Sequence, residues 1–326
     1  MWKRLACLTV LLILAAGILT AQEAGQNLLN QDEVYHLIKK EKKHPDVIEN
    51  SLHAQGVDFD INPQIEQRMR KAGATDEILR AIWAAGPTVR NFKGAVLTSA
   101  TGTPLTSSYK EAMGYVTLEK VQDPATKIRM AEEFVRTFPK SDLLSYVYTQ
   151  EATAYQQEGN FPKAVEFGRK SLQLDPDNTY SLLVTATTLS EPSMARSAED
   201  RTKTLLEAKG DAQRALDLLP KVPARENETA EQLAERKAGI ASDGHAALGS
   251  VAMLQDDFNQ AIEEFNQAIS LSKSPKPSLY FRLGEVYTRA GKKPEAIQAF
   301  SKAAELGKGT VIETYANQSI KELQEK

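Results

Sequence analysis

Charge is absent from Leu5 to Leu19, and no later apolar run in the 326-residue chain approaches the ~20 residues a membrane-spanning helix needs. Lys3 and Arg4 precede this run, and Leu19-Thr20-Ala21 places small Ala21 before a cut, the order of an export signal over residues 1–21. An uncleaved N-terminal membrane anchor is the alternative. Leu5-Ala6-Cys7 lies at the start of the apolar run instead of behind it, which argues against a lipoprotein box.

Residues 28–86 then alternate short amphipathic stretches with helix-ending signals. Pro45-Asp46-Val47-Ile48 through Ala54-Gln55-Gly56 recurs, offset by 30, as Thr75-Asp76-Glu77-Ile78 through Ala84-Ala85-Gly86. Pro45 suits a first helical turn, Asp46 and Asp76 favour the positive N-terminal end, and Gly56 and Gly86 suit C-terminal caps. Each copy follows another short helix, near Glu33–Lys42 and Pro63–Ala72, for which Asp32 and Asn62 are candidate N-caps. The expectation is a small four-helix module of two hairpins joined by Val57-Asp58-Phe59-Asp60.

Glycine, proline and hydroxyl residues between Pro87 and Pro104 predict a flexible linker over 87–104. From about 105 to 326 the hydrophobic period is helical throughout. Tyr280, Leu283-Gly284, Tyr287 and Gly291 are followed by Ala296, Phe300 and Ala303; Leu248-Gly249 is followed by Ala261, Phe265 and Ala268. A third set reads Ala152, Tyr155, Gly159, Ala164, Ser171-Leu172 and Pro176. Small residues let two helices cross closely, aromatics fill the space between hairpins, and Gly159 or Gly291 makes the turn. Gly249 and Gly284 stand 35 residues apart.

This arrangement resembles the tetratricopeptide repeat, whose period is about 34 residues. The resemblance implies an all-α, right-handed α-solenoid of about five helix pairs plus a capping helix. Clear repeats fall near 145–178, 242–275 and 277–310, irregular units near 105–139 and 179–220, and the cap at 311–325. Within the irregular stretch, Ser190-Glu191-Pro192-Ser193 must loop out, and residues from Thr229 lengthen the next helix towards Leu254. The 28–86 module resembles a short helical domain of exported bacterial repeat proteins, through Gln55-Gly56-Val57-Asp58-Phe59-Asp60-Ile61-Asn62-Pro63 and Met69-Arg70-Lys71-Ala72-Gly73-Ala74. That likeness implies no activity.

Charge and chemistry narrow the function. Forty basic residues face 43 acidic ones, a net charge of −3, and loss of residues 1–21 leaves 38 against 43, or −5. Nucleic-acid binders carry a basic domain, so no nucleic acid is expected. Cys7, the one cysteine, leaves with the signal, which removes thiol catalysis, disulfides and thiolate metal sites from the mature chain. His36, His44 and His53 share the module, but their 8- and 9-residue spacings do not put them on one helical face. HExxH, GxSxG and GxxxxGK[ST] are all absent. Glu132-Glu133 and Glu263-Glu264 are adjacent on helices and point apart. No catalytic residue, cofactor or metal is expected, and the chain reads as a non-enzyme. The run Lys39-Lys40-Glu41-Lys42-Lys43-His44 could touch anionic lipid or sugar, or simply be a solvated helix end.

In tetratricopeptide proteins the first helix of each pair lines a groove that holds a peptide or partner helix. Carried over, the groove contains Tyr146, Thr149, Thr153, Gln156 and Gln157; Tyr180, Leu183 and Thr187; Asp243, Ala246, Ser250, Met253 and Leu254; and Ser278, Phe281, Glu285, Thr288 and Arg289. Family members that grip a C-terminal carboxylate use Lys and Asn at two of these places. Here Thr149, Ala246 and Phe281, then Thr153, Ser250 and Glu285, stand there instead, so that clamp is missing. The resulting expectation is a protein–protein interaction scaffold of the bacterial cell envelope, periplasmic and without stable membrane insertion once the signal is cleaved. An accessory subunit of an envelope enzyme and a cell-wall glycan binder are the alternatives.

Overall fold

The computed structural model describes residues 28–87, 109–194, 198–224 and 228–325, so the export-signal and linker assignments lie outside the described residues. The first four helices are α1 (Gln31–Lys40), α2 (Pro45–Gln55), α3 (Pro63–Ala72) and α4 (Asp76–Ala85). Pro45 and Pro63 occupy first turns, and Gly56 and Gly86 cap α2 and α4. Asn62 caps α3 as expected, but the cap of α1 is Asn30. Its side chain accepts from the amides of Asp32 and Glu33, while the Glu33 carboxylate accepts in return from the Asn30 amide. Asp32 therefore sits inside the first turn. The connectors lock to one another: the Leu29 amide donates to Gly56 O, the Asp58 amide to Leu29 O, and the Val57 amide to Ala85 O, at 3.0–3.1 Å.

Among the described residues, five helix pairs and a terminal helix follow. They are α5 (Tyr109–Lys120) with α6 (Pro124–Thr137), α7 (Leu144–Gln157) with α8 (Phe161–Leu174), and α9 (Thr179–Leu189) with α10 (Ala198–Asp217). Then come α11 (Ala230–Leu254) with α12 (Phe258–Leu271), α13 (Pro277–Arg289) with α14 (Lys293–Leu306), and α15 (Val311–Glu325). The fold is an all-α solenoid of stacked hairpins. The extra residues fall where the spacing put them: a short 3₁₀ turn at Pro192–Met194 after α9, and a 25-residue α11 capped by Thr229 and Gln232.

Close helix crossing explains the small residues. A Cβ on Gly284 would lie 2.7 Å from the Phe300 ring, and one on Gly249 3.1 Å from the Phe265 ring. Gly114 meets Phe134 in the same way, at 3.2 Å, which gives the first, irregular unit the same glycine-against-aromatic crossing. Phe265 and Phe300 therefore pack first within their own hairpins; Phe265 also reaches Leu279 and Leu283 of the next pair. Ala164, Ala208, Ala261 and Ala296 are fully buried.

The module is not separate from the solenoid in its packing. One apolar core runs from Val34 and Trp83 through Ala112, Tyr115 and Val116 to Tyr146 and Val147. Lys110 of α5 pairs with Glu66 of α3 at 3.4 Å across the same junction. Burying a large apolar side chain stabilises by ~1.5–3 kcal/mol, so this junction is a substantial interface. Among the described residues, no helix is long and apolar enough to cross a membrane.

Candidate functional site

The first helices of four successive pairs converge on one concave groove of about 450 Å³. α7 contributes Thr153 and Gln156; α9 contributes Tyr180, Leu183, Val184 and Thr187. α11 adds Asp243, Ala246 and Ser250, and α13 adds Ser278, Leu279 and Arg282. Ser190 and Glu191, beyond the end of α9, close one side.

Its polar lining is ordered by local bonds. Gln156 Nε2 donates to Thr187 Oγ1 and Thr188 Oγ1, both at 2.9 Å, and so ties α7 to α9. The Thr153 hydroxyl bonds back to Thr149 O at 2.9 Å, and Thr187 to Leu183 O at 2.8 Å. Charges face each other in pairs. Arg282 reaches both Glu191 oxygens, at 3.1 and 3.2 Å, and Lys276 Nζ reaches Asp243 Oδ1 at 2.5 Å. Glu285 lies beside Arg282 at 3.3 Å, and burial holds its carboxyl above the ordinary range. With its charges neutralised internally, the groove offers hydroxyls, one amide and the apolar surfaces of Tyr180, Leu183 and Leu279.

Nine of the expected groove residues, Thr153, Gln156, Tyr180, Leu183, Thr187, Asp243, Ala246, Ser250 and Ser278, are brought together. The others lie elsewhere. Tyr146 is buried with its ring edge-on to Tyr115, centroids 6.0 Å apart. Thr149 is buried in a hydroxyl cluster with Ser145, Ser171, Asn178 and Ser181; it bonds Ser181 at 2.7 Å. Met253 is a core residue against the α12 and α13 apolar face, and Leu254 packs on Val165, Leu189 and Leu205. Phe281 turns towards Phe300, centroids 5.3 Å apart, and not into the groove. Arg289 clamps the α11–α12 turn: it donates to Met253 O at 2.9 Å, pairs with Asp256 and covers the Phe258 ring.

Sequence reasoning missed Glu191, Lys276, Leu279 and Arg282. Glu191 belongs to the irregular insert, where no repeat register applies. Arg282 and Leu279 flank the expected Phe281, so a one-position rotation of α13 accounts for both. Among the described residues, no three metal-ligating side chains gather.

Models of the tetratricopeptide repeat match residues 145–178 and 246–309. The chain carries tetratricopeptide repeats. The matched stretches take in the α7–α8 hairpin and everything from mid-α11 through α14, so they include the α7 and α13 sides of the groove and not its α9 side. No curated protein matches the chain. Among solved structures, it is similar to TTC0263, a thermophilic repeat protein of Thermus thermophilus. Identity is 18%, coverage 65% of this chain and 97% of that one, and the TM-score 0.48. A tetratricopeptide repeat protein from Parabacteroides merdae ATCC 43184 is 13% identical over 90% of this chain and 99% of its own, with a TM-score of 0.36. MamA from Desulfovibrio magneticus RS-1, residue 41 to the end, is 16% identical over 65% and 97%, with a TM-score of 0.36.

Proposed function

We propose that the chain is a non-enzymatic interaction scaffold of the bacterial cell envelope that holds a partner's helix or extended segment in the α7–α9–α11–α13 groove. The observation that carries this reading is the convergence of four first helices on one open cleft whose charges are already paired. A ligand entering it meets hydroxyls, the Gln156 amide and apolar surface, which suits main chain and uncharged side chains better than a charged terminus. The export signal read at residues 1–21 supports an envelope location, with the partner met after cleavage at Ala21.

Tyr180 is exposed and Ser250 half-buried, so both can change without opening the core. Tyr180→Ala and Ser250→Arg should reduce capture of a stoichiometric partner from envelope extracts while leaving the melting temperature in place. The control is Glu263→Arg on α12, outside the groove. If both groove variants retain the partner as the wild type does, or the Glu263 control loses it equally, the groove is not the binding surface. Truncating a central aromatic typically costs an interface ~2 kcal/mol or more, which is ample for the comparison.

A further inference from the structure

The module carries a second surface of different character. Lys39 and Lys40 end α1, Lys42 and Lys43 follow in the turn to α2, and all four are exposed. The fold adds a fifth. The Lys42 side chain lies across Gly73, its Cε 3.0 Å from where a Cβ would sit, and Gly73 caps α3, whose last turn holds exposed Lys71. Two helix C-termini thus bring their lysines to one end of the module.

These charges are available. Among the described residues Lys39, Lys42, Lys43 and Lys71 have no ion pair, and Lys40 keeps 81% of its side chain exposed beside Glu41. The module's arginines differ: Arg68 is held by Asp32, and Arg70 by Glu66 and Asp76. The acids near these lysines are Glu41, Asp46 and Glu49 on the α1–α2 side and Asp76 and Glu77 on the α4 side; Asp76 is taken by Arg70, and Asp46, Asp76 and Glu77 lie in first turns, where the helix N-terminus offsets their charge. Helix C-termini do favour cations, but one or two per end meet that need, and four unpaired lysines beside Lys40, which reaches Glu41 at 3.3 Å, exceed it at one end of a net-negative chain.

Two features choose among anions. Every free cation here is lysine, a compact point charge that suits a diffuse anionic surface; arginine is the residue for fixed, bidentate phosphate recognition. Val47, in the first turn of α2, is 40% exposed beside this end, with exposed Pro45 next to it, and among the described residues no exposed Phe, Tyr or Trp accompanies them for base stacking. Lysines around a small apolar edge match the interfacial zone of a bilayer. We propose that Lys39, Lys40, Lys42, Lys43 and Lys71, with Val47 at their edge, dock the module peripherally on an anionic phospholipid surface. The groove is left free for its partner.

The test is co-sedimentation of the full chain with two kinds of vesicle: phosphatidylcholine alone, and phosphatidylcholine mixed with phosphatidylglycerol. Preference for the anionic vesicles is expected, and it should vanish at high salt, where screening shortens to a few ångströms. Combining Lys39→Glu, Lys42→Glu, Lys43→Glu and Lys71→Glu should weaken anionic binding by roughly a hundredfold or more, with far-UV circular dichroism unchanged. A Lys→Gln set at the same positions serves if the Glu set misfolds. Combining Lys292→Glu, Lys293→Glu, Lys308→Glu and Lys321→Glu, all exposed at the opposite end of the chain, makes the same net charge change and should bind as wild type. Equal binding to both vesicles overturns the proposal, as does equal loss in the distal variant or undiminished binding by the patch variants. Capture of duplex DNA as tight as that of the anionic vesicles would also refute a lipid surface.

Discussion

Glu151 should make the solenoid weaken as pH rises. Its side chain on α7 is 1% exposed, and Oε1 has no hydrogen-bond partner. Burial, with Glu132 of α6 adding repulsion, pushes its carboxyl from 4.5 up to about 8, although Lys170 and Lys163 of α8 pull the other way. At pH 4 both folded and unfolded chains hold the proton, and the group contributes no pH dependence. Between 4.5 and about 8 the unfolded chain has released it and the folded chain has not, so stability falls by about 1.4 kcal/mol per pH unit. By pH 7 the loss is ~3 kcal/mol, and above about 8 it levels off. Glu151→Gln keeps the shape and a donor but cannot ionise. It should match wild type near pH 4.5 and exceed it by ~3 kcal/mol at pH 7. With a urea slope of ~2 kcal/mol per molar, the unfolding midpoint should rise by roughly 1.5 M at pH 7. Urea titrations of both proteins at pH 4.5, 7 and 8.5 measure it, since other titrating groups cancel in the difference. A wild-type-to-variant gap that stays constant across the three pH values would refute the reasoning.

Asp211 should show the same sign over a lower window, because burial and Glu207 raise it from 3.8 to about 6; Asp211→Asn should stabilise at pH 7 but not near pH 3.5, read by the same titration. Phe281→Ala should lower stability by ~2 kcal/mol, because the ring packs on Phe300, and Gly284→Leu should cost more by driving the same two helices apart. Thermal melts of both variants compare them, and an unchanged Phe281→Ala melt would put that ring outside the core. Arg236→Met should cost ~3 kcal/mol and speed proteolysis within 219–224, since it removes the Arg236 guanidinium from largely buried Glu228 and frees Pro223 O, which Arg236 Nη2 now holds at 2.6 Å. Deleting residues 1–86 should destabilise α5–α7 and increase binding of a hydrophobic dye, because Ala112, Tyr115 and Val116 lose the cover of the module. A fragment that melts like the intact chain would show that this junction contributes little.

What the sequence could decide was local. Gly249 with Phe265 and Gly284 with Phe300 lie on the two arms of single hairpins, 16 residues apart, so composition and spacing alone determine that those helices cross closely. The same holds for Pro45, Asn62, Gly56 and Gly86, whose effects reach only a few residues along the chain. The regular rows of the groove were legible for that reason: Asp243, Ala246 and Ser250 share one face of one helix. Only the tertiary structure decided which neighbour covers each face. Phe281 and Met253 sit at positions that one helix leaves open and the next helix buries, and Thr149 disappears into hydroxyls from three elements. Glu191 meets Arg282 across 91 residues, because the stacking angle of the repeats, not their sequence period, carries the insert after α9 over α13. The module's core likewise continues into α5, and Lys71 joins the α1 lysines, through contacts that arise only when separate apolar faces must share one interior.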